Sequence, residues 1–265
     1  MSRRSIEGCR TLLTGASSGI GRAMARALCH RNARLLLVAR RESRLQSLAD
    51  DIREQNGEVF FVAGDITRPE TRASVVDLIG REWGGLDALI NNAGIGGPGA
   101  FQQAGPDRLR RMLEVNVVAP AELIREAFPW LEAGINPIVV NVGSVLGHVA
   151  VPWKSEYCAS KFALRGFSDS LRAEFSGQGV DLLHVAPSTT KTEFFEKASQ
   201  GGEQKKLTDW NSVSPENVAE QILRAMVKGR HEVVLTVSGK GFVTAHRLLP
   251  GITRWLIRRF LPQLH

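Results

Sequence analysis

The sequence predicts an α/β fold, a doubly wound and mainly parallel sheet of about seven strands with helices on both faces. Three observations predict it. Short apolar runs alternate with longer amphipathic stretches along the chain. The runs are apolar throughout rather than alternating, which suits strands covered on both faces, the condition of a parallel sheet. A glycine-rich turn stands where the first run gives way to the first helical stretch, as it does where a strand feeds a helix at a ligand crevice.

The apolar runs lie at residues 11–14, 35–38, 59–62, 86–90, 138–142, 180–185 and 233–235. Between them, stretches such as 21–31 and 42–55 are rich in Ala, Leu, Arg, Gln and Glu, all good helix formers. Strand and helix alternating in this way place ligands at the carboxyl ends of the strands. Residues 188–211 break the rhythm: they are polar with a few large apolar residues, Phe194, Phe195 and Trp210, and are expected to form a lid. From 239 to 265 the chain is a basic amphipathic tail. Packing of its apolar side on the domain or on a partner subunit is favoured over contact with a membrane interface.

With 265 residues, 43% of them apolar and 23% charged, the chain suits one large core, so a single domain over 1–265 is expected. Cys9, Cys29 and Cys158 are an odd number without paired spacing, which argues against a disulfide framework and for the cytoplasm. The first apolar run follows too soon for a signal peptide, and no apolar stretch approaches the ~20 residues of a membrane span. The net charge of +7 is spread without aromatic clustering or a docking motif, so nucleic acid is not an expected partner.

The turn at 14–21 reads Thr-Gly-Ala-Ser-Ser-Gly-Ile-Gly. Its glycines permit a tight turn and close approach of backbone to a pyrophosphate, and the amide end of the following helix favours negative charge. Gly15, Ser17, Ser18, Gly19, Ile20 and Gly21 are therefore candidate cofactor contacts. The second strand then ends in Val38-Ala39-Arg40-Arg41, with no carboxylate to bond a ribose 2′-OH. A guanidinium there can hold a 2′-phosphate, so NADP(H) is the expected cofactor, with Arg40 as the contact and Arg41 and Arg22 as helpers.

Tyr157 and Lys161 are four residues apart, adjacent on one face of a helix. A phenol of pKa about 10 beside a cation is drawn toward acid/base range. Tyr157 is the only tyrosine in the chain, so no other phenol can take that role. Ser144 follows the run at 138–142, where a strand's carboxyl end would open into the ligand crevice and its hydroxyl could polarise a carbonyl. His148 and His184 lack the spacing of a metal pair, and no metal is expected.

With these residues in hand, the chain resembles the short-chain dehydrogenase/reductase superfamily over nearly its whole length. The likeness rests on the 14–21 turn, Asp65, the Asn-Asn-Ala-Gly run at 91–94, Asn116, Ser144, and Tyr157 with Lys161. It implies a Rossmann-type fold in which Tyr157 exchanges a proton with the substrate oxygen and Ser144 hydrogen-bonds that oxygen. It also implies that Lys161 lowers the phenol pKa and grips the nicotinamide ribose, and that Asn116 holds a water. Asp65 and Asn91 would contact the adenosine part of the cofactor, and Ile66, Ala93, Gly94, Pro187, Thr190 and Thr192 complete the expected contact set. Where the family usually has Pro-Gly, this chain has Pro187-Ser188, which restricts the backbone there. The resemblance further implies a homodimer or homotetramer.

The expected activity is NADP(H)-dependent interconversion of a carbonyl, ketone or aldehyde, and an alcohol. Leu146, Val149, Val151 and Trp153, with the apolar lid residues, point to a lipophilic small-molecule substrate. A non-catalytic NADP(H)-binding sensor is the alternative, and the intact Asn116, Ser144, Tyr157 and Lys161 set weighs against it.

Overall fold

The computed structural model describes residues 4–188 and 213–260; Thr190, Thr192, Phe194, Phe195 and Trp210 lie outside the described residues. The strands are β1 (Arg10–Thr14), β2 (Arg34–Ala39), β3 (Val59–Ala63), β4 (Ala88–Asn91), β5 (Ile138–Val142), β6 (Asp181–Ala186) and β7 (Glu232–Val234). They form one sheet in the order β3-β2-β1-β4-β5-β6-β7. Every pairing is parallel, so the expected mainly parallel sheet is parallel throughout. The helices are α1 (Gly19–Cys29), α2 (Glu42–Glu54), α3 (Pro69–Glu82), α4 (Asp107–Leu113), α5 (Ala119–Glu132), α6 (Ser155–Phe175), α7 (Pro215–Val227), α8 (Val237–Leu248) and α9 (Pro250–Phe260).

Successive side chains on a strand point to opposite faces, so each apolar run supplies two cores. Leu13, Leu35, Leu37, Ile90 and Val140 face one way, onto Met24 and Leu28 of α1, Leu48 of α2 and Ile222 of α7. Leu12, Leu36, Leu89, Val139 and Leu182 face the other way, onto Ile79 of α3, Leu123 and Leu131 of α5 and Phe175 of α6. Burial on both faces is why the runs show no polar alternation.

The run at 86–90 enters the sheet later than its hydropathy suggests, and Asp87 is the reason. Its carboxylate accepts from the Arg10 backbone N–H at 2.9 Å, from Arg10 Nη2 at 2.7 Å and from the Ile135 N–H at 2.6 Å. The start of β1, the start of β4 and the turn before β5 are thus fixed to one side chain. Burial alone would raise the Asp87 carboxyl, but the Arg10 guanidinium and these backbone donors hold it below the usual carboxylate range.

The tail divides into α8 and α9 at Leu249–Pro250. Leu249 adopts φ −131°, ψ 60°, outside the helical region, in keeping with the restriction that a following proline places on its neighbour. Thr236 caps α8 by accepting the Gly239 N–H at 2.9 Å.

Two aspartates make opposite predictions for urea denaturation. Asp87→Ala leaves Arg10 and two backbone N–H groups without their acceptor and should cost about 3–5 kcal/mol. Asp51→Ala removes the solvent-exposed pair with Arg26 at 2.7 Å and should cost less than about 1 kcal/mol.

Candidate active site

Parallel strands ordered on both sides of β1 open a crevice at their carboxyl ends. There the structure has a cavity of about 350 Å3, whose lining includes Gly15, Arg40, Asp65, Ala93, Ser144, Tyr157 and Lys161. Six strand tips or the loops after them contribute to it: those of β1, β2, β3, β4, β5 and β6.

The β1 turn shows why glycine is required. Gly15 has φ +68°, and a Cβ on it would lie 2.8 Å from Ala93 Cα; a Cβ on Gly21 would lie 2.3 Å from the Gly15 carbonyl oxygen. Thr14 and Asn92 lock the turn to the β4 tip. Thr14 Oγ1 accepts the N–H groups of Asn92 and Ala93 at 3.0 Å each, while Asn92 Nδ2 donates to the Thr14 carbonyl at 3.0 Å. Ser18 precedes α1 in extended backbone and makes no side-chain cap, so the helix's amide end keeps its pull on an anion.

At the β2 tip Arg40 is exposed on the cavity, and Arg41 lines it too, donating from Nη2 to Ser17 Oγ at 3.0 Å and Ser18 Oγ at 2.6 Å. Arg22, the other expected helper, instead faces Asp51 at 3.9 Å. After β3, Asp65 accepts from Thr67 Oγ1 at 2.8 Å and from Arg111 Nη2 at 2.8 Å. Its partial burial raises its pKa, but Thr67 and Arg111 outweigh this and hold the carboxyl below its ordinary range. Ile66 lies beside it on the cavity wall.

Asn91 is placed differently from its neighbours. Its Nδ2 donates to Asn141 Oδ1 at 2.9 Å, and Asn141 Nδ2 donates to Ser168 Oγ at 2.9 Å, so its side chain braces β4 to β5 and α6. Asn92, Ala93 and Gly94 line the cavity in its place. Asn116 lies in a π turn over Glu114–Val118, a device that re-aims helix side chains at functional sites. Its Nδ2 donates to the Ile95 carbonyl and to Ser160 Oγ, both at 2.9 Å, and its Oδ1 accepts the Ile95 N–H at 2.9 Å. Asn116 thereby ties the loop after β4 to the helix that carries Tyr157.

Ser144, Tyr157 and Lys161 come together as the sequence implies. Ser144 is hydrogen-bonded to Tyr157, and Lys161 Nζ lies 5.8 Å from the centre of the Tyr157 ring while donating to the Val142 carbonyl at 2.9 Å. Enclosure acts on both titratable groups. Burial pushes the Tyr157 phenol up to about 12, with the Ser144 bond only partly opposing it. The same burial brings the Lys161 ammonium down to about 8. Burial is the largest influence on both groups.

The four residues expected to line an apolar pocket before α6 do not reach this cavity. Val149 is fully buried in a small cluster with Val145 and Val243 of α8, and Leu146 packs against the same cluster. Trp153 has φ +64°, a left-handed conformation that is costly for a bulky residue, in the turn leading to Tyr157. Pro187 and Ser188 line the cavity's β6 side.

The donor set fits a dinucleotide. Two glycines leave no room for a Cβ, the amide end of α1 is uncapped, and two guanidiniums stand at the β2 tip with a carboxylate at the β3 tip. Fold and site together define a Rossmann-type oxidoreductase. The chain belongs to the short chain dehydrogenase family, whose model matches residues 10–203. It is 35% identical over 190 residues to a short chain dehydrogenase of Pseudocercospora fijiensis, covering 71% of this chain and 62% of that relative's length. An alcohol dehydrogenase of the archaeon Thermococcus sibiricus, solved with 5-hydroxy-NADP, superposes with TM-score 0.76 at 25% identity, covering 86% of this chain and 95% of that one. A short chain dehydrogenase/reductase of Burkholderia phymatum, solved with NAD, shares the fold with TM-score 0.85 at 22% identity and 99% coverage of both chains. These relatives lend no support to a non-catalytic sensor.

Behind the site, His184 of β6 packs so tightly on Gly143 that a Cβ there would lie 2.5 Å from its ring. Burial lowers His184 to about 3, aided by His148, and lowers His148 to about 4, aided by Arg165. The folded chain therefore refuses protons that the unfolded chain accepts below about pH 6.5. The stability these histidines contribute is complete above that pH and is lost as pH falls toward 4 for His148 and toward 3 for His184. In urea titrations across that range, His184→Leu should show a shallower acid loss than wild type; an unchanged slope would mean His184 takes no part in it.

Proposed function

We propose that the protein is an NADP(H)-dependent carbonyl reductase or alcohol dehydrogenase acting on a lipophilic small molecule. One observation carries this reading: a single cavity runs from Arg40 and Arg41 at the β2 tip to Ser144, Tyr157 and Lys161 beyond β5. Two cations where a carboxylate would otherwise meet the ribose suit a 2′-phosphate. Gly15, Ser17, Ser18, Gly19 and Ile20 would hold the pyrophosphate, Asp65 and Ile66 the adenosine end, and Ala93, Gly94, Lys161 and Pro187 the nicotinamide half.

When bound, the nicotinamide supplies or accepts the hydride. The remaining work falls to the chain. Ser144 and Tyr157 present two preplaced hydroxyls to the substrate oxygen, so negative charge developing there meets donors that need not reorganise. In reduction Tyr157 passes its proton to that oxygen. Oxidation would run the same transfer in reverse, with the phenolate taking the proton of the alcohol. Lys161, its ammonium brought down to about 8 by burial, would grip the ribose.

Ile95 and Val115 give the cavity apolar wall, which favours a lipophilic carbonyl or alcohol over a strongly polar one. The three cysteines are free and buried, which suits the reducing cytoplasm. The family resemblance favours a homodimer or homotetramer.

Titration with NADPH and with NADH, followed by nicotinamide fluorescence, tests the cofactor assignment. Arg40→Ala should weaken NADPH by about 1.5 kcal/mol or more, roughly tenfold, and leave NADH nearly unchanged. Tyr157→Phe should retain NADPH binding but lose turnover of a lipophilic ketone by about 10²-fold or more. If the wild type binds neither nucleotide, the oxidoreductase reading falls; if it binds NADH more tightly, the role given to Arg40 falls.

A further inference from the structure

The carboxyl-terminal helix pair is held to the domain by a narrow edge. Val243 of α8 is buried against Val145 and Val149, and Phe242 and Ile257 pack onto the same cluster. On α9 only Thr253 is buried; its hydroxyl donates to the Leu249 carbonyl at 3.1 Å and meets His246 Nδ1 at 2.8 Å.

The rest of α9 is turned outward and is apolar where it is outward. Ile252, Leu256 and Phe260 recur at four-residue spacing as one stripe, with Trp255 beside it. Trp255 is 61% exposed and Phe260 68%, and Leu248 and Leu249 extend the patch into the preceding turn. Soluble monomers seldom expose so many large apolar side chains side by side without an occupant for them.

Charge decides between occupants. Arg254, Arg258 and Arg259 are exposed around the stripe, and none of them is in an ion pair among the described residues. No Asp or Glu occurs anywhere from 233 to 260. A symmetric contact with a second copy would set these arginines against their own counterparts, with no carboxylate on either helix to separate them. An anionic lipid surface supplies what the patch lacks: apolar volume for the stripe, negative headgroups for the arginines, and an interfacial level where tryptophan is favoured.

We propose that α9, with the end of α8, is a monotopic docking surface for an anionic lipid bilayer. Because Val243 and Ile257 belong to the packing around a cluster that includes Val145, the residue after Ser144, docking brings the bilayer alongside the loop that carries Ser144. An apolar substrate dissolved in lipid would then leave it close to the catalytic groups. The docking itself does not depend on the oxidoreductase reading, and binding is measured without turnover.

The test is flotation of the full chain with phosphatidylcholine vesicles and with phosphatidylcholine vesicles containing phosphatidylglycerol, at low and high salt. Wild type should float with the anionic vesicles, lose binding as salt rises, and largely fail to float with the neutral ones. Two triple variants at exposed positions should each reduce anionic binding at least tenfold while keeping wild-type circular dichroism and NADPH affinity. They are Ile252→Ser with Trp255→Ser and Leu256→Ser, and Arg254→Glu with Arg258→Glu and Arg259→Glu. If wild type fails to float, or the variants float as wild type does, the proposal is overturned. It is equally overturned if the variants turn a multimer into a monomer and wild type shows no vesicle binding, since the face is then a contact between copies.

Discussion

The link between Thr14 and Asn92 is the constraint from which the site follows. The chain reverses its direction across the sheet at β1, with β2 on one side and β4 on the other, so the crevice opens at the tips of β1 and β4. Thr14 Oγ1 and the Asn92 amide hold those tips together through paired bonds at about 3.0 Å. With this clasp in place, Gly15 passes so close to Ala93 that any side chain there is excluded. The turn is thus shaped by its neighbour strand as much as by its own glycines.

A second axis of order is α6. Tyr157, Lys161, Leu164 and Ser168 recur at three- and four-residue spacing on its buried face. The same stripe serves chemistry at one end and fastening at the other, where Ser168 receives the Asn91–Asn141 chain that crosses the sheet. Ser160 joins it to Asn116 and the loop after β4. The helix that carries the acid/base group is therefore held to two strands and a π turn by polar bonds in dry surroundings, where such bonds specify position strongly.

Sequence reveals most where a property is local. Strands covered on both faces are apolar without interruption, so the seven runs were legible, and the glycine turn and the Tyr157–Lys161 spacing carry their own geometry. What could not be read depends on partners far away in the chain. Asn91 and Asn92 are adjacent and chemically identical, and only the register of β4 against β5 decides which one crosses the sheet and which one clasps Thr14. Leu146 and Val149 look like pocket residues because they lie between Ser144 and Tyr157; α8, almost a hundred residues later, claims them. The raised phenol pKa is likewise a property of enclosure that no spacing reveals. Arg41 follows Arg40 with the same side chain, and only its bonds to Ser17 and Ser18, some twenty residues earlier, show that it is part of the turn itself.

The chain contains a single tyrosine, and that tyrosine is the enclosed phenol of the site. A tyrosine-specific isotope label would therefore give one resonance, arising from the group proposed to carry the proton. Its chemical shift would report ionisation and ligand contact without assignment, truncation or mutagenesis, so the protein comes with a built-in spectroscopic reporter.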